Sequence, residues 1–255
     1  MQLIAMSSLT SFRKKEATMV LYIASVKELL SKVMAMQRDA KQDDEEPKEI
    51  GHHKILCIII GSQKGLCGSF NTQLRSPIRE FMEQHPQNDY DVAVVGSQAI
   101  KVAESKNIPS IIYAEPIFSH RTRDSITEQL LKKAMEYESV YVISNHFRSF
   151  FAQETLCTLL FPLIPKDSMP YQEDTQYIFD EPIQDIERLL LDRYMRAQLS
   201  FLLYQSLLSE YAARFTSMES ATRNAQTLLE QTKTTFNKLR QAKITTEITE
   251  LSANF

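Results

Sequence analysis

The stretch Gly61-Ser62-Gln63-Lys64-Gly65-Leu66-Cys67-Gly68-Ser69-Phe70-Asn71, "GSQKGLCGSFN", stands between the apolar run "KILCIII" and a segment with helical periodicity. A buried strand, a glycine loop and a helix in that order form the repeating unit of layered α/β proteins, so the reading of this stretch decides the fold class. The loop also has the outline of a phosphate cradle, which its spacing tests. A Walker A loop needs four residues between its first glycine and Gly-Lys-Ser/Thr, whereas Lys64 precedes Gly65. A dinucleotide fingerprint needs three glycines at GxGxxG spacing, and Gly65-Leu66-Cys67-Gly68 supplies only part of it. A cysteine nucleophile on a strand-to-helix elbow needs glycine two residues to either side, and Gly68 directly follows Cys67. The reading that survives is a tight strand-to-helix turn whose glycines permit close packing.

Downstream the alternation continues: a helix near Thr72 to Gln84, "DVAVVG", a helix from Ser97, "IPSIIY", a helix near Ser125 to Tyr137, and "SVYVIS". Buried β-branched runs separated by helices predict a Rossmann-like parallel sheet covered on both faces. "ETLCTLLFPLIP" adds a last strand, and the polar stretch from Lys166 to Asp180 leads out of the domain.

Both ends of the chain read differently. All five glycines lie between Gly51 and Gly96, and no proline follows Pro182. Residues from about 3 to 40 have helical periodicity, with Met19, Ile23, Val26, Leu30 and Val33 alternating steps of four and three, as in a coiled-coil seam. "DDEEP", Asp43 to Pro47, ends that helix, because the residue before a proline avoids helical dihedrals. After Pro182 roughly seventy residues without Gly or Pro can span about 100 Å as one helix. Met218, Ala221, Ala225, Leu228 and Thr232 carry its seam, which Ile244, Ile248, Leu251 and Phe255 resume. The expected organisation is an N-terminal helix (1–46), an α/β foot (47–165), a linker (166–182) and a C-terminal helix (183–255), the two helices forming an antiparallel coiled coil. Equal rise lets about 36 residues of the first helix cover only a similar length of the second, which leaves roughly Leu228 to Phe255 without a partner in its own chain.

Composition excludes several classes of function. A net charge of −3 gives no broad positive field for a nucleic-acid backbone. Cys57, Cys67 and Cys157 have no CxxC spacing, and the five histidines form no HExxH pattern, so neither a disulfide framework nor a metal or other cofactor site is expected. No run approaches the ~20 apolar residues of a membrane span.

Two stretches resemble one family. "GSQKGLCGSFN" is similar to SDRGLCGGFN, the signature of the F-type ATP synthase gamma subunit. "SLLSEYAARFTSMESATRNAQTLLEQTKTTFNKLRQAKITTEITEL" resembles the family's SLASEHAARMxAMxxATxNA...YNxxRQAxITxELxEI. The family's Asp-Arg is Gln63-Lys64 here, and its second consecutive glycine is Ser69. "MQLIAMSSLTSFRKKEA" resembles the middle of the family's first helix, which implies a shortened N-terminus or a start further upstream.

The resemblance implies a non-catalytic rotor without cofactor. Its shaft would run through a hexamer of alternating alpha and beta subunits, and its foot would sit with the epsilon subunit on the membrane-embedded c-ring. The expected location is the cytoplasmic face of the bacterial plasma membrane, or else the matrix side of the mitochondrial inner membrane. It places a beta-subunit contact on Arg240, Gln241, Thr245 and Glu247, and the signature turn on Gly65, Leu66, Cys67, Gly68, Phe70 and Asn71. Glu210, Arg214, Met218, Asn224 and Asn237 match further family positions. A non-rotary coiled-coil adaptor and an α/β nucleotide-binding enzyme with a dimerisation helix are the alternatives.

Overall fold

A computed structural model describes residues 2–40, 55–85, 90–105, 108, 110–163 and 180–253. The acidic stretch Asp43 to Pro47, the pair His52-His53, most of the 166–182 linker and Phe255 lie outside the described residues.

The central run Ile55–Ile60 forms β1, followed by α2 (Arg75–Gln84), β2 (Tyr90–Val95), α3 (Ser97–Ser105), β3 (Ile111–Glu115), α4 (Arg123–Ala134), β4 (Ser139–Phe147) and β5 (Gln153–Phe161). These are flanked by α1 (Gln2–Ala40) and the 71-residue α5 (Ile183–Ala253). The sheet order is β3-β2-β1-β4-β5, with the first four strands parallel and β5 antiparallel to β4. A nine-residue β4 joined to β5 through the short 148–152 connection can only pair antiparallel, since a parallel return needs a crossover of a dozen residues or more.

Period-two alternation sorts the strand side chains into two cores. Leu56, Ile58, Ile60, Ala93, Val95, Val140 and Val142 pack with Ile126 and Leu130 of α4, Leu30 of α1, and Met195, Leu199, Leu202 and Leu203 of α5. Cys57, Ile59, Val92, Val94 and Ile143 face the other way, onto Ile78 and Phe81 of α2 and Ala99, Val102 and Ala103 of α3. α5 therefore serves twice, as one layer of the foot and as the shaft.

α1 runs antiparallel to α5. Glu16 meets Gln205, Met19 packs against Tyr204 and Leu208, and Ile23 lies near Arg196 and Ala197. The seam expected from sequence faces inward, Leu30 and Val33 being fully buried. With equal rise, the start of α1 reaches about residue 219 of α5. From Ser220 to Glu250 every residue of α5 is exposed. The lone segment thus begins earlier than the expected Leu228, because α1 is aligned with α5 by the foot rather than end to end.

Candidate functional site: the shaft-to-foot junction and the shaft tip

In open α/β sheets, ligands occupy the crevice at the carboxyl ends of the strands where the strand order reverses. Here that point lies between β1 and β4, and the loop from Gly61 to Asn71 fills it. Gly61 N donates to Val95 O at 2.9 Å, and Ser62 N donates to Asn71 Oδ1 at 3.1 Å, so these backbone donors are taken by the chain itself. Asn71 Nδ2 donates to Ser62 Oγ at 2.8 Å and to Cys67 Sγ at 3.2 Å, and Ser62 Oγ donates to Lys64 O at 2.8 Å. Cys67 and Phe70 fold beneath the loop onto Ala213 of α5. Leu66 and Gly68 both have left-handed backbone (φ 62° and 58°), and Leu66 points outward, 74% exposed.

The glycines divide unequally. A Cβ on Gly61 would lie 2.7 Å from that of Ala99, and Gly96, at φ 97°, leaves no room beside Gly61 O. Gly65 has nothing within 4 Å of such a Cβ, so close packing, expected of this loop's glycines generally, does not hold there. The departures Gln63-Lys64 and Ser69 leave a hydrogen-bonded turn in place, because these residues enter it through their backbone oxygens, which any residue supplies. Phe70 N donates to Cys67 O at 3.2 Å, Gln73 N to Ser69 O at 3.0 Å, and Thr72 Oγ1 to Ser69 O at 2.8 Å.

The loop is keyed to the shaft. Arg214 pairs with Glu210 one turn earlier and donates to Lys64 O at 3.3 Å. Glu210 is only 6% exposed, and its Oε2 has no hydrogen-bond partner. Burial pushes this carboxyl above the usual range against the pull of Arg214 and Lys64. Sequence reasoning missed the second half of the junction. Asn145, fully buried, donates from Nδ2 to Phe70 O at 3.2 Å and accepts from Thr155, while its backbone oxygen accepts from Ser209 Oγ at 3.2 Å. Gln205 accepts from Phe147 N at 3.1 Å and donates to Glu16. The available signal was a carboxamide within an apolar run, as in "VYVISNHF" and "LSFLLYQSLLS".

The predicted partner residues sit far from this junction, on the exposed tip. Arg240 and Glu247, seven apart, share one face of α5, and Gln241 and Thr245, four apart, share another, with Ile244 and Ile248 between them. Thr245 Oγ1 donates back to Gln241 O at 2.9 Å, and Lys243 lies 3.9 Å from Glu247. Met218 is half-buried, while Asn224 and Asn237 are exposed.

A foot whose switch-point crevice is filled by its own loop and shaft, and a shaft that leaves it as a single exposed helix, define a stalk-type subunit of a larger assembly. The model of the ATP synthase family matches residues 1–254. The ATP synthase gamma chain of Flavobacterium psychrophilum is 31% identical over 258 residues, covering 98% of this chain and 89% of that one. That of Flavobacterium johnsoniae is 33% identical, covering 78% and 71%. In the solved Euglena gracilis mitochondrial ATP synthase (OSCP/F1/c-ring, rotational state 3), one chain shares the fold with a TM-score of 0.59 at 14% identity, over 97% of this chain and 93% of that one. A chain of the Tetrahymena thermophila mitochondrial ATP synthase central stalk and c-ring gives 0.55 at 17%, over 86% and 99%. The chain belongs to the ATP synthase gamma-chain family, the central-stalk rotor subunit of F-type ATP synthases.

Proposed function

We propose that this chain transmits rotation of a c-ring beneath its foot to an alpha/beta hexamer around its tip, and that it does so without catalysing a reaction itself. The observation that carries this reading is the bare tip. Leu228, Leu229, Phe236, Leu239, Ile244 and Ile248 are 47% to 66% exposed on a helix with no intrachain cover among the described residues. An apolar stripe of that length on a single helix is stable only against a partner. An alpha/beta collar supplies one, with Arg240, Gln241, Thr245 and Glu247 placed to meet a beta-subunit loop through charge-assisted and amide hydrogen bonds. Turning an asymmetric shaft within such a collar would favour different catalytic-site conformations in turn.

In this reading residues 1–46 and 183–255 are shaft, 47–165 foot and 166–182 linker, and the foot docks on the c-ring with an epsilon subunit. No helix among the described residues is long and apolar enough to cross a membrane. The membrane link in this reading is the ring. The bacterial relatives support a position on the cytoplasmic face of the plasma membrane over the mitochondrial alternative.

Coexpression with alpha and beta subunits tests the reading. The chain is expected to copurify in an ATPase-active complex, and changing both Arg240 and Gln241 to Ala is expected to weaken coupling or assembly while the foot stays folded. A chain that never enters the complex, or that binds ATP with micromolar affinity when isolated, would overturn it.

A further inference from the structure

Two buried carboxamides lie where the shaft crosses the foot. Gln205 is 5% exposed and bridges three elements: its Oε1 accepts from Phe147 N at the end of β4, and its Nε2 donates to Glu16 on α1. Asn145 ties β4 to β5 and to the signature loop, while its backbone accepts from α5. Around them the contact is apolar, made by Tyr204, Leu208, Met19 and Phe147.

Apolar contact is non-directional, so a nearly cylindrical helix can slide or roll to the next set of knobs and keep most of its buried area. A hydrogen bond fails once its partner moves by an ångström or turns by tens of degrees. A buried polar group that loses its partner then costs its full desolvation. A polar residue of this kind inside an apolar seam is known to fix register. We propose that Gln205, supported by Asn145, is the positioning residue that fixes the rotational and axial register of both shaft helices on the foot. Turning force would then pass between foot and shaft without slip at this junction. Its consequence for coupling rests on the rotor reading above, while the register itself is a property of the isolated chain.

The variants to compare are Gln205→Leu, which keeps size and removes both hydrogen bonds, Glu16→Leu, which removes one, and Glu16→Gln, which restores an acceptor. The register is read by spin labels on Cys157, the one exposed cysteine of the three, and on a cysteine introduced at Leu21, 69% exposed on α1. The native chain and Glu16→Gln are expected to give one narrow distance. Gln205→Leu and Glu16→Leu are expected to shift it or to broaden it at least twofold. In the reconstituted complex Gln205→Leu should also move at least twofold fewer ions per ATP at a native hydrolysis rate. If Gln205→Leu does not fold, Glu16→Leu, altered at a half-buried site, reports on the same bond. A narrow, unshifted distance in the Leu variants, whatever their melting temperatures, overturns the proposal. Failure of the native chain to assemble would overturn the rotor reading instead and leave the distances standing.

Discussion

Asn71 and Ser62, nine residues apart, are joined twice: Ser62 N donates to Asn71 Oδ1 at 3.1 Å, and Asn71 Nδ2 donates to Ser62 Oγ at 2.8 Å. This pairing closes the loop over β1 and occupies a donor that a bound phosphate would otherwise use. Ser62 is fully buried, so removing the carboxamide strands its N–H away from water. Asn71→Ala is expected to destabilise the chain by about 1–3 kcal/mol, read from urea unfolding of the isolated protein.

The glycines of the same region should separate under substitution. An alanine Cβ at Gly96 would lie 2.5 Å from Gly61 O and 2.8 Å from Ser62 O, at a φ of 97° that side chains rarely adopt. Gly96→Ala is expected to cost more than about 3 kcal/mol or to prevent folding, since both backbone clash and strain act there. Gly65→Ala meets open space and should stay within about 0.5 kcal/mol of the parent. Parallel thermal melts of the two variants make the comparison.

How much of this was legible in the sequence follows from which signals are local. The strand runs announce themselves because a parallel strand buried on both faces is apolar throughout, as "ILCIII" is. The inward seam of α1 was readable from its period alone. The level at which α1 stops covering α5 was not, because Leu30 and Met195 enter one core with the sheet and no spacing within either helix encodes that alignment. The start of α2 at Arg75 rather than Thr72 reflects the turn at Phe70 to Leu74, built by the Asn71 and Ser69 bonds. The junction residues Asn145 and Gln205 were hidden because their partners on other elements, Phe70 for Asn145 and Phe147 and Glu16 for Gln205, lie 75, 58 and 189 positions away in sequence.

Glu210 gives the junction a pH dependence of definite sign. Burial raises its folded-state pKa above the ordinary carboxylate value, and the hydrogen bond and charge of Arg214 and the charge of Lys64 lower it without reversing the shift. The folded chain therefore holds this proton more tightly than the unfolded one does. The resulting stability is fully present below the unfolded value and is lost as pH rises through the folded one. At neutral pH the carboxylate is a net cost, with Oε2 unpartnered. Glu210→Gln is expected to melt higher than the parent at pH 7 to 8, with the difference shrinking as pH falls toward 4. A variant that melts lower at pH 8 would show that the ion pair with Arg214 outweighs desolvation.

The bare tip sets the last expectation. Between Ser220 and Glu250 the helix carries eight threonines, and all eight, Thr222, Thr227, Thr232, Thr234, Thr235, Thr245, Thr246 and Thr249, donate their hydroxyls to carbonyls four residues back. β-branched residues lower helix propensity, and back-bonding hydroxyls bend helices, so this segment has little intrinsic stability. The helix upstream is held on every side, Leu202 to Ser209 being buried without interruption. In a dilute monomer, backbone amides from 222 to 250 should therefore exchange at least a hundredfold faster than those from 200 to 212, since local opening there breaks few apolar contacts. On assembly with alpha and beta subunits the tip should become protected, because a partner that binds only the ordered helix stabilises it by mass action. Slow exchange across the tip of a demonstrably monomeric chain would show that the helix holds itself, and the need for a surrounding collar would lose its physical basis.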